Sequence, residues 1–405
     1  MALRLNRRGA RALFLMSWAV YFCSYLGRLN YSSVMSAMIG DTLTKAQAGW
    51  VNTAFLIAYA SGQLVNGLLA EKISPRRMAA LGAIGGGIMN IAFCLSDSYA
   101  AMLALRLLTG LCMATLWPAI LQAMVEWMNE RDKIASSVNL ASSMAAGTLV
   151  SYALCAGLLK WLNWRAAFWL PGALLVTMGA VWYCAYPLIT KQAIETPVEA
   201  KSIEPSGESL PLKKLICVPV LIAAVLPVIL HGAIKDGVTA WVPAYVSEVF
   251  GRSASFSALV SALLPLVNLT GAYLAQAVYE KTGRNTLRAS AIFFFVATLM
   301  LAAMLTVARG SLALTMLCFA VITSAMMAVN MLLITLLPLY FERYGRAATV
   351  SGALNAVAYG GSALTSGLIG VLSSACGWNA AVLSWLGMMV AACVLCVIFR
   401  KTAEP

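Results

Sequence analysis

The apolar positions of this chain fall in long blocks without alternation. Segments of about 20 residues, long enough to cross a bilayer as helices, recur from end to end. Strand alternation is missing, and a backbone in lipid must satisfy its own hydrogen bonds, so these segments are read as helices. The pattern predicts an all-α membrane protein with twelve spans. They lie near 12–38, 48–70, 78–96, 99–124, 134–159, 166–187, 216–246, 255–279, 286–307, 311–340, 347–374 and 378–399. Residues 190–214 hold Lys, Glu, Pro, Ser and Gly with few large apolar groups, and read as a polar linker. The predicted organisation is a six-helix half over 1–189, a cytoplasmic linker over 190–214 and a second half over 215–405.

Composition agrees with this picture. Of 405 residues, 61% are hydrophobic and 11% charged, which excludes an ordinary soluble domain. A net charge of +13 raises nucleic acid as a partner. The basic residues instead sit in short segments between spans. With the N-terminus inside, the inner segments carry 20 of them: Arg4, Arg7, Arg8, Arg11, Lys72, Arg76, Arg77, Arg131, Lys133, Lys191, Lys201, Lys213, Lys214, Lys281, Arg284, Arg288, Arg343, Arg346, Arg400 and Lys401. The outer segments carry 5: Lys45, Lys160, Arg165, Arg252 and Arg309. That bias places both termini in the cytoplasm, and nucleic acid is rejected. The basic N-terminus followed by an apolar run looks like a signal peptide. The run is too long, contains Arg28 and lacks a small-residue cleavage site, so it reads as a retained first helix. The ten cysteines lie mostly within spans as packing residues. Cys393 and Cys396 form a C-x-x-C with no second ligand pair, so no metal and no cofactor is expected.

The two halves repeat. Asn163-Trp164-Arg165-Ala166-Ala167 opens the sixth span and Gly377-Trp378-Asn379-Ala380-Ala381 the twelfth, offset by 214 residues. Glu71-Lys72 closes the second span and Glu280-Lys281 the eighth, offset by 209; Arg28 is answered by Lys235, offset by 207. Two six-helix halves with a central linker resemble the parallel repeats of a major facilitator transporter, whose substrate lies at the repeat interface near the midplane.

Arg28 is the first candidate for chemistry. An arginine at the centre of a membrane helix costs roughly 2.5–3.5 kcal/mol on insertion scales, which points to a use. Tyr21, Tyr25 and Arg28 are spaced by four and three residues and share one helical face. A guanidinium fork beside two phenols suits phosphate or carboxylate. In the seventh span Lys235 and Asp236 are adjacent, about 100° apart around the helix. They read either as a pair that helps the halves pack, or as a cation facing the cavity with an acid that tunes it or carries a proton. His231, the single histidine, reads as a hydrogen-bonded packing residue more readily than as a proton carrier. Arg106 either snorkels to the outer interface or works inside the bundle. Tyr59, Gln63, Asn66, Asn139, Ser142, Asn268, Asn330, Asn355 and Tyr359 are polar residues within spans, where interhelical hydrogen bonding is their simplest role. Tyr59 and Gln63, four apart, share a face.

Several motifs carry a family resemblance. Gly67-Leu-Leu-Ala-Glu71-Lys72-Ile-Ser-Pro75-Arg76-Arg77 resembles the facilitator loop in which an acid and several bases latch the cytoplasmic side; its acid recurs at Glu280. Arg106-Leu-Leu-Thr-Gly110 resembles a second facilitator motif, whose arginine bonds neighbouring helices and influences ion coupling. Tyr21-x-x-x-Tyr25-Leu-x-Arg28-x-Asn30 looks like the first-helix signature of the organophosphate:phosphate antiporters, the glycerol-phosphate and hexose-phosphate transporters of bacterial inner membranes. Trp117-Pro118, Met124-Val125-x-Trp127 and Gly237 with Trp241-x-Pro243-x-Tyr245 extend the likeness. In that family two arginines, one from each half, clamp the phosphate. The resemblance carries these roles to Arg28 and Lys235, where an ammonium replaces a fork. It carries the tyrosines to Tyr21, Tyr25 and Tyr59. A cavity lysine and a histidine of the glycerol-phosphate transporter fall on Gln63 and Ser142, so the site has less positive charge.

The resemblance implies a monomeric secondary active transporter of a bacterial cytoplasmic membrane. Its substrate is a small organic anion: a phosphorylated sugar or polyol, or a carboxylate. Arg28, Lys235, Tyr21, Tyr25, Tyr59, Gln63, Ser142 and Tyr359 would bind it. Asp236, Arg106, Glu71, Lys72, Arg76 and Glu280 would couple or gate, with inorganic phosphate or a proton as coupling ion. The alternative is a membrane-embedded sugar-phosphate sensor that signals to a partner protein. An enzyme is not expected, since no metal cluster or nucleophile–base set is visible.

Overall fold

The structure, a computed structural model, describes residues 2–69, 73–196, 217–307, 310–341 and 346–403. Two compact units emerge, Met1–Leu43 with Ala54–Ser202, and Thr44–Thr53 with Ile203–Pro405. Both are helical, with one two-stranded sheet in the first.

The elements of the first unit are β1 (Ala2–Leu5), α1 (Arg7–Met38), most of α2 (Lys45–Leu69), α3 (Pro75–Cys94), α4 (Tyr99–Met113), α5 (Leu116–Trp127), α6 (Glu130–Trp161), α7 (Ala166–Thr190) and β2 (Ala193–Thr196). Side-chain caps start the two longest helices. Asn6 accepts from the Gly9 amide at 2.8 Å, and Asn129 from the Asp132 amide at 2.8 Å. Each satisfies an amide that the first turn leaves without a partner. Helix α1 packs on α6 and α7, and α3 on α4 and α7. Asn30 joins three of these helices. Its buried amide donates to Asn90 Oδ1 and to the Ala167 carbonyl, both at 2.9 Å.

Proline explains where predicted spans break. The fourth splits into α4 and α5 at Ala114–Thr115. Pro118 has no amide to give the Ala114 carbonyl, and the Thr115 hydroxyl donates to Cys112 O at 2.8 Å. The eighth splits into α9 (Ala254–Ser261) and α10 (Leu264–Lys281). There Pro265 follows the Ser261 carbonyl by four residues, with the same effect.

The second unit is built from α8 (Pro219–Val249), α9, α10, α11 (Thr286–Leu305), α12 (Leu312–Asn330) and α13 (Ala347–Ile398). Helix α8 packs along α13, and α11 against α12 and α13. A π-helical turn, Met331–Leu336, follows α12. Ser351 Oγ donates at 2.9 Å to Ile334 O, the carbonyl that an α-helical turn would pair with Pro338. The 52 residues of α13 are two helices meeting at Gly377, whose φ of 78° only glycine adopts freely.

Among the described residues, ten helices are long and apolar enough to cross a membrane. That is fewer than the twelve spans predicted. One of the ten, Thr349–Ile398, contains the bend at Gly377, and the 25-residue α2 is not among them.

The predicted linker begins with structure. Strand β2 pairs antiparallel with β1 in the register Ala2–Thr196 to Leu5–Ala193. Arg4 then donates to the carbonyls of Val125 and Glu126, at 2.7 and 3.0 Å, placing a cation at the C-terminal end of α5. Polar composition hid this strand.

Candidate binding site

The first unit surrounds Arg28 with aromatic rings. Its Cζ lies 4.2 Å from the Tyr59 ring centre, 5.5 Å from Tyr25 and 5.8 Å from Phe55. Phe55 and Tyr59, four apart on α2, stack at 5.8 Å. Tyr21 meets Tyr25 edge-on at 5.5 Å and Trp117 of α5 at 5.1 Å. The predicted grouping of Tyr21, Tyr25, Tyr59 and Arg28 is therefore present as one cluster. Gly147 of α6 allows this packing, because a Cβ there would lie 2.7 Å from Tyr25 Cβ. Ser142, on the same helix, accepts from Trp18 Nε1 at 2.9 Å and donates to Asn139 O at 2.7 Å. Gln63 is half-buried, one turn beyond Tyr59.

Arg106 does not snorkel. Only 1% of it is exposed, and its Cζ lies 4.3 Å from the Phe55 ring and 4.9 Å from Tyr31. Among the described residues its Nε, Nη1 and Nη2 find no hydrogen-bond acceptor. Two desolvated ring contacts at about 2 kcal/mol each match the insertion cost of roughly 2.5–3.5 kcal/mol. Gly110, one turn on, brings α4 against α2: a Cβ there would sit 2.5 Å from Phe55 O.

The loop residues divide. Glu71 and Lys72 lie outside the described residues. Arg76 meets no carboxylate among the described residues; its Nε donates to Tyr183 O at 2.8 Å and its Cζ stacks 4.0 Å from the Tyr183 ring. It fastens the start of α3 to α7.

The second unit holds another cluster. Lys235 Nζ is 3.7 Å from Asp236 Oδ1, and each side chain is about a quarter exposed. Although adjacent on α8, the two do meet. Ser362 Oγ donates to Asp236 Oδ2 at 2.7 Å, and Tyr359 places its ring 5.8 Å from Lys235 Nζ. Gly232 lets α8 and α13 come this close, since a Cβ there would overlap Ala358 O at 1.9 Å. His231 is fully buried, with Nε2 3.4 Å from Asn330 Oδ1, which suits its packing role. Glu280 belongs elsewhere. It lines a cavity of about 460 Å³ with Gln276, Tyr279, Arg284 and Tyr340, and Gln276 donates to it at 3.4 Å. Lys45, expected in an outer loop, is the first residue of α2 and ion-pairs with Glu248, to which Trp378 Nε1 also donates at 2.9 Å.

Two site residues escaped the sequence reading. Phe55 precedes Tyr59 by four residues and shares its face, a spacing that could have found it. Ser362 follows Tyr359 by three, but a serine in a small-residue helix carries no signal of its own.

Residues 17–366 match the Major Facilitator Superfamily. The chain belongs to that superfamily. The family is one of transporters, not enzymes. This facilitator is 22% identical over 402 residues to the glycerol-3-phosphate transporter of Bacillus subtilis, covering 93% of the chain and 88% of the relative. It is 24% identical over 285 residues to the membrane sensor protein UhpC of Escherichia coli, covering 65% and 63%. Its fold is similar to an inward-facing, unoccupied bacterial homologue of the human lysosomal transporter Spinster. There the TM-score is 0.77 at 17% identity, covering 98% of this chain and 97% of that one.

Proposed function

We propose that this facilitator is a secondary active transporter that moves a phosphorylated sugar or polyol, or a small carboxylate, by alternating access. In this reading it has twelve spans and both termini on the cytoplasmic side of a bacterial cytoplasmic membrane. Arg28 and Lys235 are the cations that would receive the substrate anion. Tyr21, Tyr25, Tyr59, Gln63, Ser142 and Tyr359 add polar contacts. The observation that carries the reading is the Arg28 cluster: a guanidinium within a membrane helix, oriented by Tyr25, Phe55 and Tyr59. Aromatic rings hold the guanidinium by cation–π contact, and a guanidinium fork matches the geometry of phosphate and carboxylate.

Asp236 fits a coupling role. Its carboxylate is held by Ser362 and lies beside Lys235, so protonating it or binding the anion changes the same local charge. The chain exchanges its substrate against inorganic phosphate or couples it to protons. Either way the two states bind the anion differently, or binding could not shift their balance.

The test is flux into proteoliposomes, using glycerol 3-phosphate, inorganic phosphate and a dicarboxylate, each with and without a pH gradient. Uptake of an anion that Arg28→Ala abolishes is the expected result. Similarity to a membrane sensor supports a second reading, in which the same residues bind a sugar phosphate and report it to a partner. Tight binding without flux selects that reading. Absence of anion binding overturns both.

A further inference from the structure

One face of α1 carries an unbroken stripe: Arg7, Arg11, Phe14, Trp18, Tyr21, Tyr25 and Arg28, spaced alternately by four and three residues. Such spacing keeps side chains on one side of a helix. Helix α6 follows the stripe, with Ser142 bonded to Trp18 and Gly147 against Tyr25. Arg28 and its rings stand at one end. At the other, Arg7, Arg11 and Phe14 of α1 with Asp132, Ser136 and Asn139 of α6 line a cavity of about 170 Å³. That is smaller than the roughly 300–1,000 Å³ of clefts for drug-sized ligands, and suits one oxyanion group rather than a whole sugar.

The charge of this cavity favours an anion. Arg7 and Arg11 bring two positive charges. Asp132 brings one negative charge, and it is engaged locally: Asn129 Nδ2 donates to its Oδ2 at 3.1 Å, and it sits in the first turn of α6, where a helix N-terminus stabilises a carboxylate. Among the described residues no ion pair joins Asp132 to either arginine. Ser136 and Asn139 add hydrogen-bonding side chains on the neighbouring wall.

We propose that Arg7, Arg11, Ser136 and Asn139 form a second site for a free oxyanion, which gathers the substrate anion at this end of the α1–α6 seam before it reaches Arg28. Its role as a waypoint rests on the proposed transport of an organic anion; the site itself does not. Phosphate groups of lipids share the chemistry, so the test separates the two sources.

The experiment uses full-length Arg28→Ala protein in nanodiscs of neutral phosphatidylcholine, with inorganic phosphate as the probe. Removing Arg28 silences the first cluster. Thermal stabilisation by phosphate should persist, since any ligand of the folded state stabilises by mass action. It should weaken by about tenfold in apparent affinity when Arg7→Gln and Arg11→Gln are added, and the gap should close at high salt, as expected for a focused but exposed field. Both arginines are exposed, so these changes spare the fold. Equal phosphate responses with and without Arg7 and Arg11 overturn the site. An arginine-dependent shift seen with phosphatidylglycerol nanodiscs, and not with phosphate, assigns the cavity to lipid and also overturns it. Efflux from loaded vesicles tests the waypoint: Arg7→Gln/Arg11→Gln should raise KM at low salt and leave kcat unchanged. Failure of wild-type protein to move any anion bears on the proposed function alone, because the nanodisc titration needs no flux.

Discussion

Arg28 and Arg106 lean on the same ring. Their Cζ atoms lie 5.8 and 4.3 Å from the centre of Phe55, one from α1 and one from α4. Two like charges share a single aromatic group, whose negative faces draw both. Phe55→Leu keeps apolar bulk and removes the quadrupole. Each arginine then loses a contact worth about 1–2 kcal/mol. Anion binding should weaken by roughly three- to tenfold, because Arg28 keeps Tyr25 and Tyr59, and the melting temperature should drop as Arg106 loses its nearer ring. Isothermal titration and thermal melts check the two halves of this statement. An unchanged melting temperature would remove Phe55 as the support of Arg106.

Arg106 itself gives a prediction of opposite sign. It is a buried cation with no acceptor among the described residues. Replacing buried charge by apolar side chains of similar size is often neutral or stabilising by about 1–4 kcal/mol. Arg106→Met should therefore leave the protein as stable or more stable in thermal melts while impairing transport coupling. A marked loss of stability would mean that its guanidinium is a structural tie.

Tyr59 separates ring from hydroxyl. Its ring centre is 4.2 Å from Arg28 Cζ, nearer than Tyr25 or Phe55. Tyr59→Phe keeps the face and should hold affinity within about threefold, whereas Tyr59→Ala should cost about tenfold if the contact contributes near 1–2 kcal/mol. Equal losses in both variants would assign the contribution to the hydroxyl instead.

The clusters and the fold were legible to different degrees. Spacing alone put Tyr21, Tyr25 and Arg28 together, because a helix fixes which residues share a face. Charge adjacency drew notice to Lys235 and Asp236, yet the pairing between them depends on Ser362 and Tyr359 of α13, residues more than a hundred positions away. Arg106 was ambiguous because its depth depends on Gly110 letting α4 close on α2, a tertiary fact. The pairing of β1 with β2 was hidden for a related reason. Residues 193–196 look like the start of a solvated linker, and only their register with Ala2–Leu5 makes them a strand. Hydropathy separates the last two predicted spans at 347–374 and 378–399, and the bend at Gly377 falls between them, although the helix runs up to that glycine on both sides.

The Lys235–Asp236 pair distinguishes a binding cation from a packing pair by the order of three affinities. In Lys235→Ala the Asp236 carboxylate stays, held by Ser362, and faces the incoming anion without its ammonium. Like charges then oppose binding. In Lys235→Ala/Asp236→Asn that repulsion is gone, while the amide can still accept from Ser362. Affinity should therefore rank wild type first, the double variant second and the single variant last. The last two should differ by about tenfold, the size of one screened charge interaction near 1.4 kcal/mol. Lys235→Arg should bind nearly as wild type, since it keeps the charge and adds a fork. Titration of each purified variant with the transported anion gives the ranking. If all four bind equally, the pair only packs α8 against α13, and the second contact for the anion lies elsewhere.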